Sequence, residues 1–230
     1  MNNYNYYSSY GNSNTSTYTM SKVFGWLFYA ILLTAVTSVG LPYLLVAINA
    51  VELYSTITFV GLIVVFILSF ASTIVIARTQ SKAVAITMFS LFAVAMGTWI
   101  SPLIISYDLG TVVYALFVTA GVFGIMALYG ALTKKDLSGF GSLLMMVLIG
   151  ALILSLLNIF FASTPLDWIL SYVILGVYIG FVAFDVQRIK RLSQAGQLNI
   201  NTSLIMALNL YIDFVYIFIR LLAILGRNRD

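Results

Sequence analysis

An all-α membrane protein built as a bundle of seven transmembrane helices is what this sequence predicts, and three observations carry the prediction. Hydrophobic residues make up 62% of the 230 positions and charged residues only 8%, where an ordinary soluble domain has about a quarter charged. Uncharged apolar runs recur at regular length, over residues 23–51, 53–77, 83–107, 109–133 and 137–166. Basic residues collect in alternate connections between the runs: Lys22, then Arg78 and Lys82, then Lys134 and Lys135, then Arg188, Lys190 and Arg191. The connections between them carry Glu52, Asp108 and Asp167 instead.

Each run exceeds the roughly 20 residues needed to cross about 30 Å of hydrocarbon at about 1.5 Å per residue. These five are spans. A sixth is expected over residues 168–189, with Asp185 near its end, and a seventh over residues 204–225, interrupted by Asn209, Asp213 and Arg220. The alternation of basic connections places the N-terminus in the cytoplasm. A full seventh crossing then carries Arg227 and Arg229 outward, against that rule, so the last segment either spans or returns; seven spans is the reading taken here. Pro42, Pro102 and Pro165 fall near segment ends, where a missing amide and a fixed φ do least harm. Gly176 and Gly180 make a GxxxG spacing that suits close packing of a neighbouring helix.

Residues 1–20 are mainly Asn, Ser and Tyr, uncharged and without aliphatic periodicity. Such a composition buries too little surface to fold alone, so a disordered tail is expected there, followed by one transmembrane domain over residues 21–230. The first apolar run lacks the short core and cleavage pattern of a signal peptide and reads as an uncleaved helix.

The residues that are missing narrow the chemistry. With no Cys and no His there are no disulfides, no thiolate or imidazole metal ligands and no histidine base. Proton chemistry falls to carboxylates, Tyr, Lys or water. No nucleophile–base constellation and no nucleotide-binding glycine pattern is present, so an enzyme is the poorest fit and no cofactor is expected. The net charge of +4 lies in short connections rather than on a soluble basic face, so nucleic acid is not an expected partner; the lipid bilayer is.

Two acids, Asp185 and Asp213, fall inside otherwise apolar segments. A carboxylate in hydrocarbon costs at least about 2.5 kcal/mol, so both need pairing, protonation or a watery cavity. Asn209, Asp213, Tyr216 and Arg220 follow at spacings of four, three and four and form a polar stripe. A stripe of this kind faces a bundle interior, so the last helix is expected at the centre, wrapped by the other six. Tyr178 lies on the face of Asp185. Local ion pairs, Asp185 with Arg188 and Asp213 with Arg220, are one reading of these residues. Approach of the two aspartates is the other: two like charges at low dielectric cannot both ionise cheaply, so the pair would share a proton and sense pH. Two carboxylates would also make a weak, exchangeable oxygen site of the kind that suits Ca²⁺. Helix depth opposes this approach if the sixth span ends near Arg188, because Asp213 then lies about 14 Å inside its own helix.

The stretches FVAFDVQRIK (181–190) and ALNLYIDFVYIFIRLLAILG (207–226), with TKKDLS (133–138) and KAV (82–84) in support, resemble the bacterial branch of the transmembrane BAX inhibitor motif family. The likeness covers residues 20–226 in layout; the Tyr- and Asn-rich leader is not a family feature. The resemblance implies a seven-helix fold around a central last helix and a calcium leak gated by pH through a di-aspartyl sensor. Asp185 and Asp213 match that pair, and Arg78 is the candidate for the arginine that holds one aspartate in the closed state. A pH-sensitive calcium-leak channel of a bacterial cytoplasmic membrane is therefore the leading expectation, with protons and Ca²⁺ as its ligands. A regulatory protein that binds another membrane protein, such as a membrane protease, and a proton-coupled transporter are the alternatives.

Overall fold

The computed structural model describes residues 19–227 and consists of seven long helices: α1 (Met20–Ala47), α2 (Tyr54–Arg78), α3 (Lys82–Ile105), α4 (Leu109–Leu132), α5 (Ser138–Phe161), α6 (Thr164–Gln194) and α7 (Ile200–Arg227). All seven are long and apolar enough to cross a membrane. The chain is a multi-pass membrane protein. The predicted tail lies outside the described residues up to position 18, and α1 begins one residue before the predicted domain boundary.

Helix boundaries follow local chemistry that hydropathy does not register. The run over 23–51 breaks after Ala47, where Asn49 takes a left-handed φ of 54°, and a 3-10 turn over Val51–Leu53 leads into α2. The run over 137–166 breaks at Ala162, with φ 47°. There Asn158 bonds both the amide and the carbonyl of Ser163 and bridges α5 to α6. Asp108 caps α4 by accepting the Thr111 amide at 3.0 Å, and Ser81 caps α3 through the Val84 amide at 3.4 Å. Pro165 sits in the first turn of α6, as a proline without an amide should.

Two further departures from the sequence reading are at the facing ends of the last two helices. α6 runs to Gln194, carrying Arg188, Lys190 and Arg191 as helical residues, and α7 begins at Ile200 rather than 204. The connection between them is short, and α7 is one continuous helix of 28 residues, about 42 Å long, which removes the returning-segment alternative.

α7 is the central element. Tyr211, Leu204, Leu208, Leu210, Ile217 and Leu222 are fully buried, and the helix packs against α1, α2, α3, α4 and α6. The expectation of six wrapping helices is corrected in one respect: α5 takes its packing from α6. The outer faces of the ring present Leu, Ile, Val and Phe, the surface a bilayer solvates. Close crossings rest on glycine. A Cβ on Gly97 would fall 2.7 Å from the Thr34 carbonyl oxygen, and one on Gly130 would overlap the Ala183 carbonyl. The GxxxG pair divides, since Gly180 packs under Leu144 of α5 while Gly176 has nothing within 4 Å.

Candidate functional site

The basic end of α6 is tied to the α4–α5 connection, and that fixes the depth of Asp185. Gln187 accepts the Leu137 amide at 2.9 Å and donates to the Lys135 carbonyl at 2.7 Å. Lys190 donates to the Ala131 carbonyl at 2.6 Å, and Arg191 bonds Ser138 Oγ at 2.7 Å and pairs with Asp136 at 2.5 Å. Asp136 lies in the connection, and the Arg191 hydrogen bond, helped by the Ser138 amide, holds its carboxyl well below the usual carboxylate range.

With α6 extended to Gln194, Asp185 lies nine residues, about 14 Å, from the basic end, while Asp213 lies 13 residues, about 20 Å, along α7 from Ile200. The remaining offset of about one turn is closed by side-chain direction. Helical side chains lean toward their own N-terminus, and in these antiparallel helices that tilts Asp185 and Asp213 toward each other. The two carboxyl groups meet within hydrogen-bonding reach. They are 6% and 5% exposed, so neither can draw on bulk water. Facing carboxyl oxygens repel unless a proton lies between them, as an O–H donated from one to the other.

The local ion pairs do not form. Arg188 is exposed and acts on Asp185 only at longer range, and Arg220 turns away from Asp213 to donate to Ser171 Oγ at 3.4 Å. Among the described residues no N–H or hydroxyl donor reaches the buried Asp213 Oδ2. Arg78, exposed at the end of α2, makes no ion pair with either aspartate. Among the described residues no third His, Cys, Asp or Glu joins the pair to make a metal cluster.

The polar stripe of α7 is spread over different partners. Tyr216 stacks on Tyr178 of α6, ring centroids 4.7 Å apart and planes within 3°. Asn209 is half-buried and makes no hydrogen bond among the described residues. Two features had no strong signal in sequence. Tyr211 donates to Thr34 Oγ1 at 2.6 Å, which in turn donates to the Ala93 carbonyl at 3.0 Å, pinning α7 to α1 and α3. Gln187 stood inside a quoted motif, but nothing in its spacing pointed to the α4–α5 connection.

The family model described as "Inhibitor of apoptosis-promoting Bax1" matches residues 17–230. The chain belongs to this Bax inhibitor family. Among its relatives is the inner membrane protein YbhL of Escherichia coli strain K12, 33% identical over 217 residues, which are 91% of this chain and 92% of the relative. An uncharacterized membrane protein of Streptococcus pyogenes serotype M3 is 36% identical over 185 residues, covering 80% of this chain and 78% of its own. An uncharacterized protein of Borreliella burgdorferi is 31% identical over 216 residues, 92% of each chain. As a member of the Bax inhibitor family the chain has the match running through both aspartate-bearing helices, so α6 and α7 belong to the shared part of the fold.

Proposed function

We propose that this protein is a pH-sensitive cation leak in a cytoplasmic membrane, with Ca²⁺ as the conducted ion and Asp185 and Asp213 as the proton-sharing sensor. The observation that carries the reading is the meeting of two buried carboxyls at the α6–α7 seam, with no arginine among the described residues paired to either. Such a contact changes with proton activity. Sharing one proton holds the helices together, and loss of that proton leaves two like charges that separate, take up a cation or attract an arginine. Two carboxylates hold a divalent cation weakly, which suits passage better than storage. The basic end of the bundle, with the 79–81, 133–137 and 195–199 connections, is the cytoplasmic end by the distribution of Lys and Arg, and Arg78 at that end is the closed-state partner this reading assigns. No catalytic role or cofactor is part of this reading.

The test is Ca²⁺ flux into liposomes holding the purified protein, across about pH 5 to 8, with Asp185→Asn and Asp213→Asn in parallel. A leak whose pH response is lost or displaced in both variants supports the sensor. No leak at any pH ends the channel reading, and a variant response identical to wild type ends the sensor assignment.

A further inference from the structure

α1 and α4 lean on a common helix rather than on each other: α1 packs mainly on α3 and α7, and α4 on α6 and α7. Between them lies a cavity of about 200 Å³ whose floor is Phe214, Val215 and Phe218 of α7. Val39, Ile104 and Val112 line it and also line a second cavity of about 410 Å³, so the two form one groove. The second cavity continues past Pro42 and Tyr43 to Tyr107 and Leu109, at the end of the bundle opposite the basic one. Val39, Tyr43, Val46, Leu109 and Leu116 along its rim are exposed, so the groove opens sideways into the bilayer.

The lining offers little to water or to an ion. Thr34 and Ser38 are the polar residues of the inner cavity. Each hydroxyl is already donated within the protein, Thr34 Oγ1 to the Ala93 carbonyl at 3.0 Å and Ser38 Oγ to the Ala35 carbonyl at 3.1 Å. A buried water wants two to four polar partners, whereas an apolar cavity of about 150 Å³ stays dry and takes up a small apolar molecule. Among the described residues no Lys or Arg lines either cavity. Dimensions then select the occupant. From Ile31 to Val46 the groove follows α1 for about 22 Å. One leaflet is about 15 Å of hydrocarbon and about 20 Å with its headgroup region. The apolar inner part takes up the stretch from Ile31 to Val39, about 12 Å, and the two tyrosines stand at the outer part, where aromatic residues meet the membrane interface.

We propose that this groove binds one acyl chain of a phospholipid from the leaflet opposite the basic end, with the chain seated against α7 and the headgroup beside Tyr43 and Tyr107. Length and apolar contact recognise the chain. The headgroup is held by position alone, since no cation is there to select an anionic one. The occupant packs on Phe214 and Val215, the residues that follow Asp213, yet the site stands independently of the leak reading.

Lipid around the bundle touches outward faces, whereas Phe214, Val215 and Phe218 are buried, so contact with α7 is the decisive observation. The protein is reconstituted in phosphatidylcholine vesicles holding a trace of the same lipid with a photoactivatable diazirine near the end of one acyl chain, and adducts are located by mass spectrometry of its peptides. The expected result is adducts within residues 214–218 as well as on outward residues such as Phe160. Val112→Trp, at the junction of the two cavities, lowers the α7 adducts by at least about tenfold, because a close-packed site has no room for a second occupant. It leaves the adducts at Phe160 unchanged. Phe117→Trp, on the exposed face of α4, keeps the α7 adducts of wild type. A probe with the diazirine in its headgroup labels Tyr43 or Tyr107 and not α7, and phosphatidylglycerol in place of phosphatidylcholine gives the same α7 adducts.

Chain adducts confined to outward residues of the wild-type protein overturn the proposal without recourse to any variant. Labelling of α7 by the headgroup probe, or a Val112→Trp protein labelled like wild type, overturns it as well. A dimer cross-linked through the α1–α4 seam, with α7 protected from the chain probe, assigns the seam to a second copy instead.

Discussion

Gln187 and Leu137, 50 positions apart in sequence, are joined by a buried hydrogen bond of 2.9 Å from the Leu137 amide to the Gln187 carboxamide oxygen. The same side chain donates to the Lys135 carbonyl and accepts from Arg191 at 2.6 Å, so one residue satisfies two backbone groups of the α4–α5 connection. Gln187→Met, close in size but without these bonds, should destabilise the protein by about 1–3 kcal/mol, because buried backbone groups are left without partners. Thermal unfolding of the detergent-solubilised protein reads this. A variant as stable as wild type would mean that water replaces the clamp.

The Asp136–Arg191 pair beside it should behave differently. The folded carboxyl is held below its ordinary range, so its contribution is complete above the unfolded value near pH 3.9 and is lost only as pH falls from there toward the lower folded value. Between about pH 5 and 8 Asp136 therefore stays charged and contributes no titration. Asp136→Asn should leave any pH profile of ion flux unchanged in that window. The pair is exposed, so its effect on melting temperature should be small and should fade with added salt.

Packing at the α4–α6 crossing gives a contrast between two glycines. Gly130→Ala drives a methyl group into the Ala183 backbone, which only helix separation relieves, and should cost about 1–3 kcal/mol. Gly176→Ala meets nothing within 4 Å and should be neutral or mildly stabilising, by up to about 1 kcal/mol from helix propensity. Melting temperatures of the two variants in the same detergent decide the matter; equal effects would contradict the crossing described.

Contact between Asp185 and Asp213 is testable without any assay of flux. An asparagine at either position supplies N–H donors to the facing carboxylate and removes the need for a proton between them. Stability of Asp185→Asn and of Asp213→Asn should accordingly vary less with pH than that of wild type. The double variant should depart from the sum of the singles by about 0.5–3 kcal/mol, the coupling typical of residues in contact. Additive energies would show that the side chains act independently.

Much of the fold could be read from the sequence because bilayer physics acts on individual residues. The cost of leaving backbone and charge in hydrocarbon marks each span, and the uncharged runs located α2, α3 and α4 to within two residues. Helix ends were less legible where a turn is itself apolar. Asn49 and Ala162 break their runs by left-handed backbone conformation, with no charge to signal it. α6 was read too short for the opposite reason, since Arg188, Lys190 and Arg191 end a hydrophobic run but continue a helix, in which Lys190 and Arg191 bond the end of α4 and the start of α5.

The sequence by itself determined that this is a seven-helix membrane protein, that two carboxylates, Asp185 and Asp213, lie within its apolar segments, and that α7 carries a polar stripe. Each of these follows from composition and from the local cost of burying charge. Only the tertiary structure decided that Asp185 meets Asp213 rather than Arg188, that Arg220 bonds Ser171, and that Tyr178 stacks on Tyr216. Those outcomes depend on the relative depth of two antiparallel helices. That depth is set by Gln187, Lys190 and Arg191 anchoring α6 to the α4–α5 connection, a contact between residues some 50 to 60 positions apart that no local pattern encodes.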